Sequence, residues 1–206
     1  MNERREIVFP PGTGTFFEEM SGKIQLSPKI FSLLADMWSS SGDQRENLFA
    51  FLQNIPGLLD LALTAREKAL SWRDFRVGCA ALARDPPEDS DLPELGKFPG
   101  ANLKMSEYAF KVCAELFAIQ AARLAGYREV LGLVIVGDPQ EDHASRLLTP
   151  TLEPCEDCRT ALPNFPEVGM DMFVATFYPK AQIWEIQYLQ EMIAKHEFAR
   201  AKRQET

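Results

Sequence analysis

Along this chain, apolar positions shift between helical spacing and short unbroken runs, and the shifts divide it into elements. Ile30, Leu33, Leu34, Met37 and Trp38 lie at helical spacing behind Ser27 as N-cap and Pro28 in the first turn, and residues 39–43 break the pattern. A second helical region runs from Arg45 to Leu70. Pro56-Gly57 predicts an interruption there, and Leu58, Leu59, Ala62, Leu63 and Ala69 form the apolar side. Phe75 to Ala83 reads as a buried strand. Arg84 to Pro99, with four prolines and many acids, reads as a loop or irregular hairpin, and Gly100 to Leu103 as a short strand. A helix from Ala109 or Val112 to Leu124 is stopped by Gly126, and Glu129 to Val136 is a strand. The polar stretch from Gly137 to Glu153 is a loop, Cys155 to Leu162 a short helix and Asp171 to Phe177 a strand. Ile183, Ile186, Leu189, Ile193 and Phe198 predict a long amphipathic C-terminal helix, highly charged beyond Lys195.

Strands alternating with helices predict an α/β domain of three layers, a mixed sheet covered by helices on both faces. Residues 1–45 are expected to form an N-terminal arm and helix, 46–180 the domain itself, and 181–206 the C-terminal helix. A length of 206 residues and a hydrophobic content of 46% suit such a core. The net charge of −8 argues against tight binding to a nucleic-acid backbone, which needs clustered cations. The N-terminus lacks the pattern of a signal peptide, and the apolar run Leu131 to Val136 is too short to span a bilayer. Four cysteines without an export signal read as thiols or metal ligands, so a cytoplasmic protein without membrane attachment is expected.

Candidate chemistry gathers at Cys113-Ala-Glu115 and Pro154-Cys155-Glu-Asp-Cys158. Cys155 and Cys158, three apart, face one way on the first turn of a helix, and Pro154 suits its entry. With Cys113 as a third thiolate, Zn²⁺ would keep one position open for water, the mark of a catalytic site. Glu115 would lean over that position as a base. Three thiolates leave zinc a formal −1, so helix-start N–H groups and Arg159 are candidates to draw charge off the sulfurs. A structural zinc clip or buried thiols are the plainer readings of the same cysteines. Cys79, inside an apolar strand, reads as core. His143 in a polar loop and His196 on a charged helix read as solvated.

From about Leu58 to Phe177 the chain resembles the cytidine deaminase family. Phe75-Arg-Val-Gly-Cys-Ala-Ala81 is similar to that family's Phe-x-Val-Gly-Ala-Ala strand. Gly100-Ala-Asn-Leu103, Tyr108 and Cys113-Ala-Glu115 keep its order and spacing, and Pro154-Cys-x-x-Cys-Arg159 is similar to its second zinc motif. The resemblance implies that family's three-layer αβα fold, Cys113, Cys155 and Cys158 as zinc ligands, and Glu115 as proton shuttle. It also implies Asn102 on a sugar hydroxyl, Phe75 lining the base pocket, and backbone at Ala114 reading the base edge. Without the resemblance, Phe75 is ordinary core and Asn102 a turn residue.

The chain departs from the family pattern at several positions. Lys104 stands where the family has an acid that accepts a sugar hydroxyl, and it brings a cation instead. Leu116 replaces an arginine, and Glu156-Asp157 replaces Gly-Ala. Blasticidin S deaminase, a relative, also has Cys-Ala-Glu-Leu and lacks the sugar-binding acid. The expected activity is hydrolytic deamination of a cytosine nucleoside to the uracil form. The alternatives are a phosphorylated or modified cytosine nucleoside, with Lys104 pairing an anionic group, and a catalytically idle binding module. The family implies a small-molecule substrate and a homodimer or homotetramer.

Overall fold

The computed structural model describes residues 23–35, 43–85, 94–107 and 109–204. The expectations for the arm before residue 23, for Met37 and Trp38, for the prolines at 86, 87 and 93, and for Tyr108 lie outside them. In chain order the elements are β1 (Lys23–Leu26), α1 (Pro28–Ala35), α2 (Asp43–Glu67), β2 (Leu70–Ser71), β3 (Gly78–Asp85), β4 (Glu94–Ala101) and β5 (Leu103–Lys104). There follow α3 (Ala114–Leu124), β6 (Glu129–Val136), α4 (Glu156–Ala161) with a 3₁₀ turn at Leu162–Asn164, β7 (Val168–Tyr178), β8 (Ile183–Tyr188) and α5 (Leu189–Gln204).

A mixed six-stranded sheet in the order β1-β8-β7-β6-β3-β4 forms the middle layer, and β2 and β5 make a separate parallel pair. The pairs β1–β8 and β6–β7 are parallel, and the others in the large sheet antiparallel. Alternate residues of each strand feed two cores. Ala80, Leu82, Val134, Phe173, Ala175, Trp184 and Ile186 pack under α1 and α2. Cys79, Ala81, Leu133, Ile135 and Val174 pack under α3, α4 and α5. The three-layer α/β architecture predicted from the sequence is therefore present, and Cys79 is core.

Three local readings are corrected. Pro56 lies inside α2 without ending it, because Leu52, Ile55 and Leu58 on either side are buried against the sheet. Their burial outweighs a proline penalty of about 3 kcal/mol. α2 is also long and apolar enough to cross a membrane, with an 18-residue window of mean hydropathy 1.4. Its buried face packs on the sheet instead, so it serves as a core helix. Glu94 to Pro99, read as part of a loop or irregular hairpin, belong to β4, an edge strand where Pro99 needs no ladder hydrogen bond on its outer side. Ile183 and Ile186, read as helix, are in β8. The segment Ile183-Trp-Glu-Ile-Gln-Tyr188 fits both periods, and pairing with β1 and β7 on its two sides decides for the strand. The C-terminal helix starts at Leu189.

Candidate metal centre and active site

Gly100 sets the position of α3. A Cβ there would lie 2.1 Å from the Ala114 carbonyl oxygen and 2.6 Å from the Ala118 nitrogen, so β4 meets the first turn of α3 backbone to backbone. Just before that turn, Leu103 and Val112 exchange two backbone hydrogen bonds of 2.9 Å, tying the approach to Cys113 onto β5. Cys113 is the N-cap of α3 in extended conformation, and Cys155 occupies the same place on α4. Neither side chain caps its helix, which leaves both sulfurs directed elsewhere.

They converge. The Sγ atoms of Cys113, Cys155 and Cys158 all lie within 4.8 Å of one another, and Cys113 and Cys155 are 3.6 Å apart. Three thiols this close cannot all ionise without a cation among them. Hydrogen bonds from Cys113 and Cys158 hold the Cys155 thiolate low; the bond to Cys155 pushes Cys113 up, and bonds to Cys113 and then to Cys155 push Cys158 up. Three soft sulfur donors in one small cluster, with no fourth among the described residues, suit Zn²⁺ with an open position.

Glu115 is in the first turn of α3 and 5% exposed. Burial raises its carboxyl to about 7, with the Cys155 thiolate adding to the rise. A carboxyl held there exchanges protons near neutrality. Ala114, at the first position of α3, is fully buried.

These features agree with one family. The family model described as the cytidine and deoxycytidylate deaminase zinc-binding region matches residues 53–171. The chain belongs to this deaminase family. It is accordingly a hydrolytic deaminase acting on a C–N bond, with zinc as its metal. The deaminase is similar to the cytidine deaminase from Burkholderia pseudomallei, at 25% identity over 66% of this chain and 92% of that one, with a TM-score of 0.48. It is also similar to the cytidine deaminases from Mycobacterium leprae (22% identity, 68% and 96% covered, TM-score 0.46) and Mycobacterium tuberculosis (22%, 68% and 93%, TM-score 0.47).

Around this centre the deaminase differs from the sequence expectation in two cations. Arg159 does not turn to the sulfurs. Its Nη1 donates to the Pro154 carbonyl at 2.6 Å and its Nη2 to Asp142 Oδ2 at 2.9 Å. The cation beside the thiolates is Lys111, paired with Asp157 at 2.5 Å. The hydrogen bond to Asp157 raises Lys111 most, and the Cys155 and Cys113 thiolates add to it. Its place two residues before Cys113 was the available signal.

Asn102 is tied into the strap that precedes β3. Its Oδ1 accepts from the Val77 N–H at 2.7 Å and its Nδ2 donates to the Phe75 carbonyl at 2.9 Å. One amide proton and one lone pair remain for another partner. Phe75 is half-buried against the core on the α3 side. Lys104 is half-buried on β5 and makes no ion pair among the described residues. His143 is exposed as expected, but His196 is 5% exposed, and its reading as solvated is wrong.

Proposed function

We propose that the protein hydrolyses the exocyclic amine of a cytosine nucleoside, cytidine or deoxycytidine in type, to give the uracil form and ammonia. The observation that carries this reading is the trio of sulfurs within 4.8 Å of one another with a buried carboxyl two residues from one of them. Cys113, Cys155 and Cys158 hold the metal. Zinc bound there supplies a Lewis-acidic position at which water becomes nucleophilic near neutral pH.

Glu115 takes one proton from the attacking water and delivers it to ring N3, then takes the second from the new C4 hydroxyl and gives it to the amine as the C4–N bond breaks and ammonia leaves. Its raised carboxyl suits both halves of that cycle. Burial of Glu115 and Ala114 keeps bulk water from competing for the proton. Ala114 presents backbone to the base edge, Phe75 flanks the base, and the remaining amide capacity of Asn102 meets a sugar hydroxyl. The free thiols suit a reducing compartment, the cytoplasm. Self-association as a dimer or tetramer belongs to the same proposal, since Leu70, Trp72, Met105 and Phe110 leave an apolar surface around β2 and β5.

A second reading concerns the substrate. The half-buried Lys104, without an ion pair among the described residues, favours a cytosine compound carrying phosphate or another anionic group. An ultraviolet assay of cytidine, deoxycytidine, their monophosphates and blasticidin S tests both. Turnover of the neutral nucleosides supports the first, preference for an anionic compound supports the second, and no turnover of any by zinc-loaded protein contradicts both.

A further inference from the structure

Beside α4 lies a largely buried polar chain that the deamination chemistry does not use. It begins at Arg159, one residue past Cys158, whose guanidinium bonds back to the Pro154 carbonyl and whose backbone N–H makes the helical bond to the Cys155 carbonyl at 2.9 Å. One residue thus spans the turn that carries both Cys155 and Cys158. Asp142 accepts from Arg159 on Oδ2 and, on Oδ1, from the Ser145 N–H at 2.8 Å, the Ser145 hydroxyl at 2.9 Å and the Ala144 N–H at 3.1 Å. Ser145 Oγ lies 2.8 Å from His196 Nδ1, and His196 Nε2 lies 2.7 Å from Glu153 Oε2. Glu153 Oε1 accepts from Gln187 and Lys195, each at 2.5 Å. Arg159, Ser145, Glu153, Gln187 and His196 are all buried.

The order Ser145–His196–Glu153 is that of a hydrolase triad, but its surroundings rule that use out. The N–H groups of Ala144 and Ser145 bond the Asp142 carboxylate, that of Arg146 bonds the Asp142 carbonyl, and that of Leu147 reaches Ser145 Oγ. No pair of amides is left at Ser145 to hold an oxyanion. What the chain does is mechanical. It joins the loop at 142–153 and helix α5 to the turn bearing two sulfurs, and every member has a partner, so displacing one leaves a buried polar group or charge unpaired.

We propose that Asp142, Ser145, Glu153 and His196 are positioning residues for the metal centre, acting through Arg159 to hold Cys155 and Cys158 at the spacing zinc requires. The inference rests on the assignment of the three cysteines as ligands. Partners of this outer kind typically change metal affinity by about 10- to 100-fold when lost.

The test loads the full-length protein with cobalt(II) and with zinc. Wild-type cobalt protein must show thiolate charge-transfer bands; without them the ligand assignment fails and this inference falls with it. Given those bands, zinc release to a chromophoric chelator is timed for wild type, His196→Ala, Asp142→Asn and Ser145→Ala. A control, Leu48→Ala, lies in the opposite core layer. The proposal expects release from the three variants to be about 10- to 100-fold faster with altered cobalt bands. The control, despite its lower melting temperature, should keep wild-type release and bands. Ser145→Ala, which removes only a hydroxyl, carries the test if His196→Ala does not fold. Wild-type release and bands in the folded variants, or equally fast release from the control, would overturn it.

Discussion

Cys113 and Cys155 begin different helices, 42 residues apart in the chain, yet their sulfurs meet at 3.6 Å. Each lies at an N-cap in extended conformation, so both side chains project past the helix ends toward one point. Cys113→Ser should leave two sulfurs and lower zinc content, measured by atomic absorption after dialysis, from one per chain to a small fraction.

Glu115→Gln keeps the shape of the buried side chain and removes its proton chemistry. Zinc content should stay at the wild-type level while kcat falls by roughly 10²- to 10⁴-fold, the usual contribution of a positioned acid–base group. Steady-state kinetics on the preferred cytosine substrate measure this, and retained turnover would remove Glu115 from the mechanism.

Gly100 allows β4 to pass against α3. Gly100→Ala places a methyl group within 2.1 Å of the Ala114 carbonyl, so strand and helix must separate. Overpacking of this kind destabilises by about 1–3 kcal/mol, readable as a lower urea midpoint. Because the displaced turn follows Cys113, zinc retention should fall as well.

Asp142 and Glu153 predict how stability follows pH. Burial alone would raise Asp142, but hydrogen bonds from the Ser145 N–H, Arg159 and the Ser145 hydroxyl prevail and hold it down to about 2. Glu153 is likewise lowered: burial opposes it, and His196, Lys195 and Gln187 outweigh the burial. Folded-state values below the unfolded ones, about 3.9 for Asp and 4.3 for Glu, mean stability that is full above about pH 5. It is lost as pH falls through the folded-state values. Melting temperature should therefore drop steeply from about pH 4 toward pH 2, and less steeply in Asp142→Asn.

Lys104→Glu restores an acid at the end of β5. If Lys104 meets an anionic group, this variant should shift kcat/KM toward neutral nucleosides by about 10-fold or more, since a cation is exchanged for a like charge. An unchanged preference would make Lys104 a surface charge.

The clustering of Cys113, Cys155 and Cys158 was legible because these cysteines follow local rules. Two cysteines three apart share a helical face, and Cys113 with Glu115 stands where an apolar helical pattern begins. The central strand Glu129–Val136 was equally plain as an unbroken apolar run. β8 was not, because Ile183, Ile186, Leu189 and Ile193 fit a helix as well as Trp184, Ile186 and Tyr188 fit a strand, and only pairing across the sheet separates the two. The brace beside α4 joins Asp142, Ser145, Glu153 and His196 from separate stretches, each polar in a polar neighbourhood. Leu189, Met192 and His196 do share one buried helical face, and that spacing was the one sign that His196 points inward.

X-ray absorption at the zinc edge reads the sulfur ligation of the metal itself. Zinc-loaded protein should show one zinc per chain with three sulfur neighbours at about 2.3 Å and a single lighter atom in the remaining position. Folded protein that takes up no zinc, or whose zinc shows no sulfur neighbours, would contradict that ligation.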